Sequence, residues 1–144
     1  MNVSPRPACA DDAGEIARLA GELGYPADRD AMAARLARLL GDPRQYVRVA
    51  DAGRRLAGWI SAARRLTLEA GERVEITGLV VDGTARRGGV GRALVAAVEA
   101  WAREQGIDLV VVRSNVQRET SHPFYEGLGY VRKKSQHVYA RRLG

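Results

Sequence analysis

Glycine and arginine crowd one short stretch of this chain: Arg86, Arg87, Gly88, Gly89, Gly91 and Arg92. Before it stands the apolar run Glu75-Ile76-Thr77-Gly78-Leu79-Val80-Val81. After it, Val90, Leu94, Ala97, Val98 and Trp101 recur at helical spacing. The pattern reads as a strand, a loop, and a helix that begins inside the glycines. Glycine allows positive φ and lets a ligand approach the backbone. A helix N-terminus adds unpaired N–H groups and a positive dipole end. The chemistry this combination serves is anion binding, most often of phosphate.

Two common phosphate loops do not fit. A Walker A loop needs Gly-x-x-x-x-Gly-Lys-Ser/Thr, and this stretch holds no lysine. A dinucleotide loop needs a third glycine, where Leu94 stands, and an acidic residue after the next strand, where Ser114-Asn115 stands.

The elements that must position this loop can be read in order. Val3–Ala8 suits an edge strand, the only sheet position that tolerates Pro5 and Pro7. Asp11 or Asp12 caps a helix with Ile16, Leu19, Ala20 and Leu23 on one face, ended by Gly24-Tyr25-Pro26. A second helix takes Asp30–Leu40, with Met32, Leu36, Leu39 and Leu40 inward. Three strands follow: Tyr46–Ala50, Leu56–Ala63 with an extension toward Leu68, and Arg73–Val81, joined by turns at Ala52-Gly53 and Gly71. The helix from about Gly89 to Gln105 stops at Gly106. Ile107–Arg113 then reads as a strand buried on both faces and parallel to the one before it. A short helix opens near Thr120 or Ser121 and ends at Gly129. Tyr130–Lys133 and His137–Arg141 read as a closing hairpin.

The chain of 144 residues suits one domain, 1–144, with an ordinary globular balance of 46% hydrophobic and 28% charged residues. No run is long and apolar enough for a membrane span, and no secretory leader is visible, so a cytoplasmic location is expected. A single cysteine, Cys9, excludes an internal disulfide and argues against a cysteine-based metal site; no metal is expected. The net charge of +6 favours anionic ligands. The arginines are scattered rather than clustered on a helix face, which speaks against nucleic acid as a partner.

One family pattern fits. Arg86-x-x-Gly89-x-Gly91 resembles the (Gln/Arg)-x-x-Gly-x-(Gly/Ala) signature of the GNAT superfamily of N-acetyltransferases. Phe124-Tyr125-Glu126-Gly127-Leu128-Gly129-Tyr130 resembles that family's Phe-Tyr-x-x-x-Gly-(Phe/Tyr) element, and Asn115 stands where the family often has Asn. The order of elements agrees over nearly the whole chain. The resemblance implies a mixed α/β fold with a mostly antiparallel, twisted sheet of six or seven strands, splayed at the cofactor site, and about four helices.

It also implies acetyl-CoA as cosubstrate and transfer of the acetyl group to a primary amine by direct attack through a tetrahedral intermediate. The amides of Arg87, Gly88, Gly89, Val90, Gly91 and Arg92 then bind the pyrophosphate, with charge from Arg86, Arg87 and Arg92. Leu79, Val80 and Val81 pair with the pantetheine arm, beside Asn115, and a bulge near Gly78 opens the gap. An N–H near Leu79 or Val80 meets the oxyanion. Tyr125 matches the tyrosine that protonates the departing thiolate, and Glu75 stands where some members carry a base.

Strand alternation puts Glu75, Thr77, Leu79 and Val81 on one face. The competing reading of Glu75 is a surface carboxylate paired with Arg73 or Arg64. His122 and Arg118 also match recurring positions; a structural role suits His122, and His137 and Cys9 have none in the chemistry. The acceptor, a small-molecule or peptide amine, is expected at Leu23–Asp28, with contributions from Leu68–Glu72 and Lys133–Gln136. The resemblance admits a homodimer. The alternative is an acyl-CoA-binding regulator without transfer activity, against which Tyr125 speaks.

Overall fold

The computed structural model describes residues 4–83, 88–113 and 121–144. They fall into two compact units, Met1–Val112 and Arg113–Gly144.

The first unit is built on a sheet of five strands: β1 (Pro5–Pro7), β2 (Gln45–Asp51), β3 (Leu56–Thr67), β4 (Gly71–Val81) and β5 (Val110–Val112). They lie side by side in that order. All neighbours are antiparallel except β4 and β5, which are parallel. The prolines of β1 do sit on an edge, where a missing N–H costs no ladder bond.

Helices α1 (Ala13–Glu22) and α2 (Arg29–Leu40) follow β1, with one 3₁₀ turn, Ala10–Asp12, before α1. The Arg6 guanidinium bridges Asp12 and Asp51, tying β1 and the start of α1 to the end of β2. Helix α3 (Val90–Glu104) links β4 to β5.

The two faces of the sheet can be told apart from the register, because directly opposed residues share a face. Val47, Val49, Trp59 and Val80 lie on the face that packs with Ile16, Leu19 and Leu36 of α1 and α2. Tyr46, Gly58, Ile60, Ala62, Val74 and Ile76 lie on the other. There α3 buries Val90, Leu94, Val95, Val98, Trp101 and Ala102, and Trp101 stacks on Tyr46 with ring centroids 4.8 Å apart. Of the residues read from helical spacing, Val90, Leu94, Val98 and Trp101 are buried and Ala97 is only partly so, while Val95 and Ala102 join the stripe. In α2 only Leu36 is fully buried, and Leu40, expected inside, is 44% exposed. At its end, α3 closes with Gly106 at φ +75: Gly106 N–H bonds Arg103 O at 3.0 Å and Ile107 N–H bonds Ala102 O at 2.9 Å. That cap takes Ile107 and shortens β5 to three residues.

The second unit holds α4 (Ser121–Gly127), closed by Gly129 and Tyr130, whose N–H bonds Tyr125 O at 3.0 Å. The expected sheet of six or seven strands is overturned: five strands occur among the described residues. The missing pair is the closing hairpin, since residues 130–144 carry no strand. Two lone strands are marginal without a face to bury. Here Val131, Val138 and Tyr139 are 75%, 88% and 91% exposed.

Gly58 stands where the sheet packs tightly against α3. A Cβ there would stand 2.7 Å from the Val80 carbonyl oxygen and 3.3 Å from methyl carbons of Leu94 and Val90. Backbone on one side and a packed helix on the other leave no cheap relief. Gly58→Ala is expected to destabilise by about 2 kcal/mol, in the range of overpacked cores. Thermal denaturation should show a Tm lower by roughly 5–10 °C; an unchanged Tm would mean that α3 yields freely.

Candidate active site

Strand β4 is irregular where the sequence places the chemistry. Ser61 opposes Gly78 and Ala62 opposes Ile76, so Thr77 is an extra residue on β4. This bulge lies beside the glycine that pointed to one. A Cβ on Gly78 would stand 2.8 Å and 2.9 Å from ring carbons of Trp59 and 3.1 Å from Ser61 Oγ, so the bulge closes against an indole that needs a glycine beneath it. The Thr77 and Ser61 hydroxyls hydrogen-bond at 2.8 Å.

The bulge corrects the alternation argument. Glu75 opposes Ala63, on the face of Ser61 and Trp59 and therefore of Gly78 and Val80. Leu79 and Val81 oppose Ile60 and Gly58, on the α3 face. Glu75 and the Leu79/Val81 side chains thus lie on opposite faces, because one extra residue reverses the parity of everything beyond it.

The bulge also coincides with the end of the β4–β5 ladder. That ladder joins Val74, Ile76 and the residue between them to Val110–Val112 and stops there. Among the described residues, Thr77–Val81 have no strand partner on the β5 side.

Beyond β4, Asp82 is buried, and its N–H bonds Ala57 O at 2.8 Å. Its carboxylate meets Arg18 Nη2 at 3.2 Å. Arg18, on α1, also holds Glu15 at 2.8 Å and Glu22 at 3.0 Å, and Glu15 accepts the Leu56 N–H at 2.9 Å. One guanidinium therefore fixes the end of β4, the start of β3 and a turn of α1. The sequence reading missed this anchor; the one local signal was a charged residue directly after an apolar strand.

Helix α3 starts at Gly89, which has φ +83, a conformation other residues rarely adopt. Where its Cβ would stand there is open space within 4 Å. The first α3 bond runs from Ala93 N–H to Gly89 O at 3.0 Å, so the Val90, Gly91 and Arg92 N–H groups form the first turn, which has no intrahelical partner. Gly88, Gly89 and Arg92 are exposed, and Val90 is anchored in the core. An exposed helix start with three donors and no side chain at its cap fits a phosphate group. Arg86, Arg87, Asn115 and Arg118 lie outside the described residues, as does the His122 side chain.

Glu75 is buried, with its side chain 6% exposed. Arg65 Nε lies 3.2 Å from Glu75 Oε2, and Arg73 Nη2 lies 3.8 Å from Oε1. Of the partners expected from the sequence, Arg73 is present and Arg64 is replaced by Arg65. Arg64 points to the other face, where it pairs with Glu72 and bonds Gln105 Oε1 at 2.8 Å. The β3–β4 register would have identified Arg65, which directly opposes Arg73.

Tyr125 belongs to the second unit. Its ring is edge-on to Phe124 at 5.0 Å and to Tyr130 at 5.9 Å, which fixes the ring on α4.

Comparison with known proteins agrees with this architecture. The model of the acetyltransferase (GNAT) family matches residues 13–130. The chain belongs to that family and is an enzyme of its class, an N-acetyltransferase. Among its curated relatives is the aminoalkylphosphonate N-acetyltransferase of Salmonella typhimurium, 33% identical over 126 residues, which cover 87% of this chain and 78% of the relative. Among solved structures, an aminoglycoside 6'-N-acetyltransferase from Acinetobacter haemolyticus superposes with a TM-score of 0.84 at 18% identity over 100% of both chains. The acetyltransferase AAC(6')-Iy, solved with the bisubstrate analogue CoA-S-monomethyl-acetylneamine, gives 0.87 at 20% identity over 99% of this chain and 100% of its own. At such identities the likeness to these structures is one of fold.

The Arg18 anchor sets a pH dependence. Hydrogen bonds from Arg18 hold the Glu15 carboxyl below its ordinary value of 4.5, against burial, and the Leu56 N–H adds to the lowering. A lowered folded pKa gives stability that is present above the unfolded pKa and lost as pH falls through the folded one. Urea midpoints of the native protein should therefore drop as pH falls below about 4.5. Glu15→Gln should start lower at neutral pH and fall less steeply, with the similarly lowered Asp12 accounting for part of the remaining slope. Parallel curves for the two proteins would contradict this anchor.

Proposed function

We propose that the chain transfers an acetyl group from acetyl-CoA to a primary amine of a small-molecule or peptide acceptor. The observation that carries this reading is the continuity of two features: a bulged strand whose edge has no described partner over Thr77–Val81, and a glycine-capped helix start just beyond it. In this reading the backbone of Leu79, Val80 and Val81 pairs with the pantetheine arm, and Asn115 lines it. The amides of Gly88, Gly89, Val90, Gly91 and Arg92 hold the pyrophosphate, and Arg86, Arg87 and Arg92 supply positive charge around it.

The bound cosubstrate supplies the activated acyl group. What the chain must add is a donor for the oxyanion, a path for the amine's proton and a proton for the departing sulfur. A backbone N–H at Leu79 or Val80 serves as the oxyanion donor. The Tyr125 phenol, protonated at neutral pH, serves as the acid. Glu75 receives the amine's proton through water, its carboxylate staying between Arg65 and Arg73. The acceptors named for the related proteins are all amines but carry opposite charge: aminoalkylphosphonates are acids as well as amines, and aminoglycosides are polycations.

Thiol release from acetyl-CoA over a panel of amines tests the transfer. Tyr125→Phe should lower kcat about 100-fold, the scale of general acid catalysis, with little change in the KM for acetyl-CoA. Full turnover of this variant from about pH 6 to pH 9 would remove Tyr125 as the acid. Binding of CoA with no transfer to any amine would instead favour a regulator.

A further inference from the structure

Arg65 and Arg73 stand directly opposite each other on β3 and β4, on the sheet face that also carries Glu75. Like charges at opposed positions are unfavourable in a sheet. Here the Glu75 carboxylate lies between them, at 3.2 Å and 3.8 Å, and among the described residues these two guanidiniums and one carboxylate leave one positive charge. Among the described residues the other ion-paired arginines are better balanced: Arg6 has two aspartates, Arg18 has Glu15, Glu22 and Asp82, Arg44 has Asp42, and Arg64 has Glu72.

Burial grades the pair. The Arg73 side chain is 12% exposed and donates to Thr67 Oγ1 at 3.4 Å, whereas Arg65 is 49% exposed. Arg65 meets Glu75 through Nε and is half-exposed, and a guanidinium carries further N–H donors suited to a carboxylate or phosphonate. Along the same face toward the bulge come the Thr77–Ser61 hydroxyl pair, Gly78 and the Trp59 ring. From Arg73 to Thr77 is about 13 Å of strand at the usual rise per residue.

We propose that Arg65, backed by Arg73, is the subsite for an acid group of the acceptor, which is therefore an amine that also carries a carboxylate or phosphonate. The proposal rests on the acetyl-transfer reading and names its substrate class. Glu75 holds the two guanidiniums in place, and its charge is already shared, so a polycation meets a net positive floor. The acid group docks on Arg65 and the amine extends toward the bulge, where the acyl group is to be attacked. Because Arg65 is half-exposed, the preference weakens with added salt.

The test uses the full chain with saturating acetyl-CoA. It compares ω-aminoalkyl carboxylates and phosphonates, with two to six methylenes, against amino alcohols of equal length and an aminoglycoside. The acid-bearing amine should lead its alcohol by at least tenfold in kcat/KM, and the aminoglycoside should trail both. Arg65→Gln should raise the KM for the acid about tenfold with kcat nearly held. Arg65→Lys should recover part of the loss. Arg54→Gln, which removes the same charge at the exposed β2–β3 turn, should leave the preference in place.

Equal rates for acid and alcohol overturn the subsite while leaving acetyl transfer standing. If no amine is acetylated, the transfer reading fails, and calorimetry of CoA-loaded protein then decides the subsite. Acid binding that exceeds alcohol binding and is lost in Arg65→Gln sustains it; equal binding overturns it.

Discussion

One extra residue in β4 governs the working half of this molecule. Thr77 has no counterpart on β3, and the strand changes parity around it. Before the bulge, Glu75 joins Arg65 and Arg73 on the face that carries α1 and α2; beyond it, Val80 takes that face, and Leu79 and Val81 turn to α3. The ladder to β5 ends at the same place. A regular strand would keep pairing with β5 or expose its apolar residues on the wrong side. The bulge instead leaves β4, among the described residues, without a strand partner on the β5 side over Thr77–Val81.

The surroundings hold this irregularity in place. Gly78 admits the Trp59 ring, the Ser61 and Thr77 hydroxyls satisfy each other, and Arg18 clamps the strand end through Asp82. On the opposite face, the absence of a side chain at Gly58 lets α3 sit close to β4. The start of α3 is therefore fixed relative to the β4 edge through a continuous core, Val90 and Leu94 against the sheet. The edge is thereby held by the ladder to β3 and the Arg18–Asp82 clamp, and the helix start by its packing on the sheet.

Local signals made much of this legible in the sequence. The 3.6-residue spacing of Val90, Leu94, Ala97, Val98 and Trp101 found four of the six buried residues of α3, and the glycines marked its start. The prolines placed β1 at an edge, and Gly78 marked the distortion. What depended on pairing was not legible. Alternation cannot count a residue that is extra only relative to a neighbouring strand, so Glu75 was put on the wrong side of Leu79. Arg64 and Arg65 are adjacent in sequence, and only the register shows which one meets Glu75. The Arg18–Asp82 anchor joins residues far apart in the chain. The closing hairpin had strand-like composition, but its apolar residues Val131, Val138 and Tyr139 stay exposed, and composition alone could not reveal that.

The central claim is that the β4 edge and the α3 start form one site for an acyl-CoA. Backbone amide spectra of the labelled protein, titrated with CoA, address it residue by residue. The account predicts that the amides of Leu79–Val81 and of Gly89–Arg92 shift together and become protected from exchange, while amides around Leu36 in α2 stay unchanged. Saturable CoA binding that leaves both stretches undisturbed, or no binding at millimolar CoA, would contradict it.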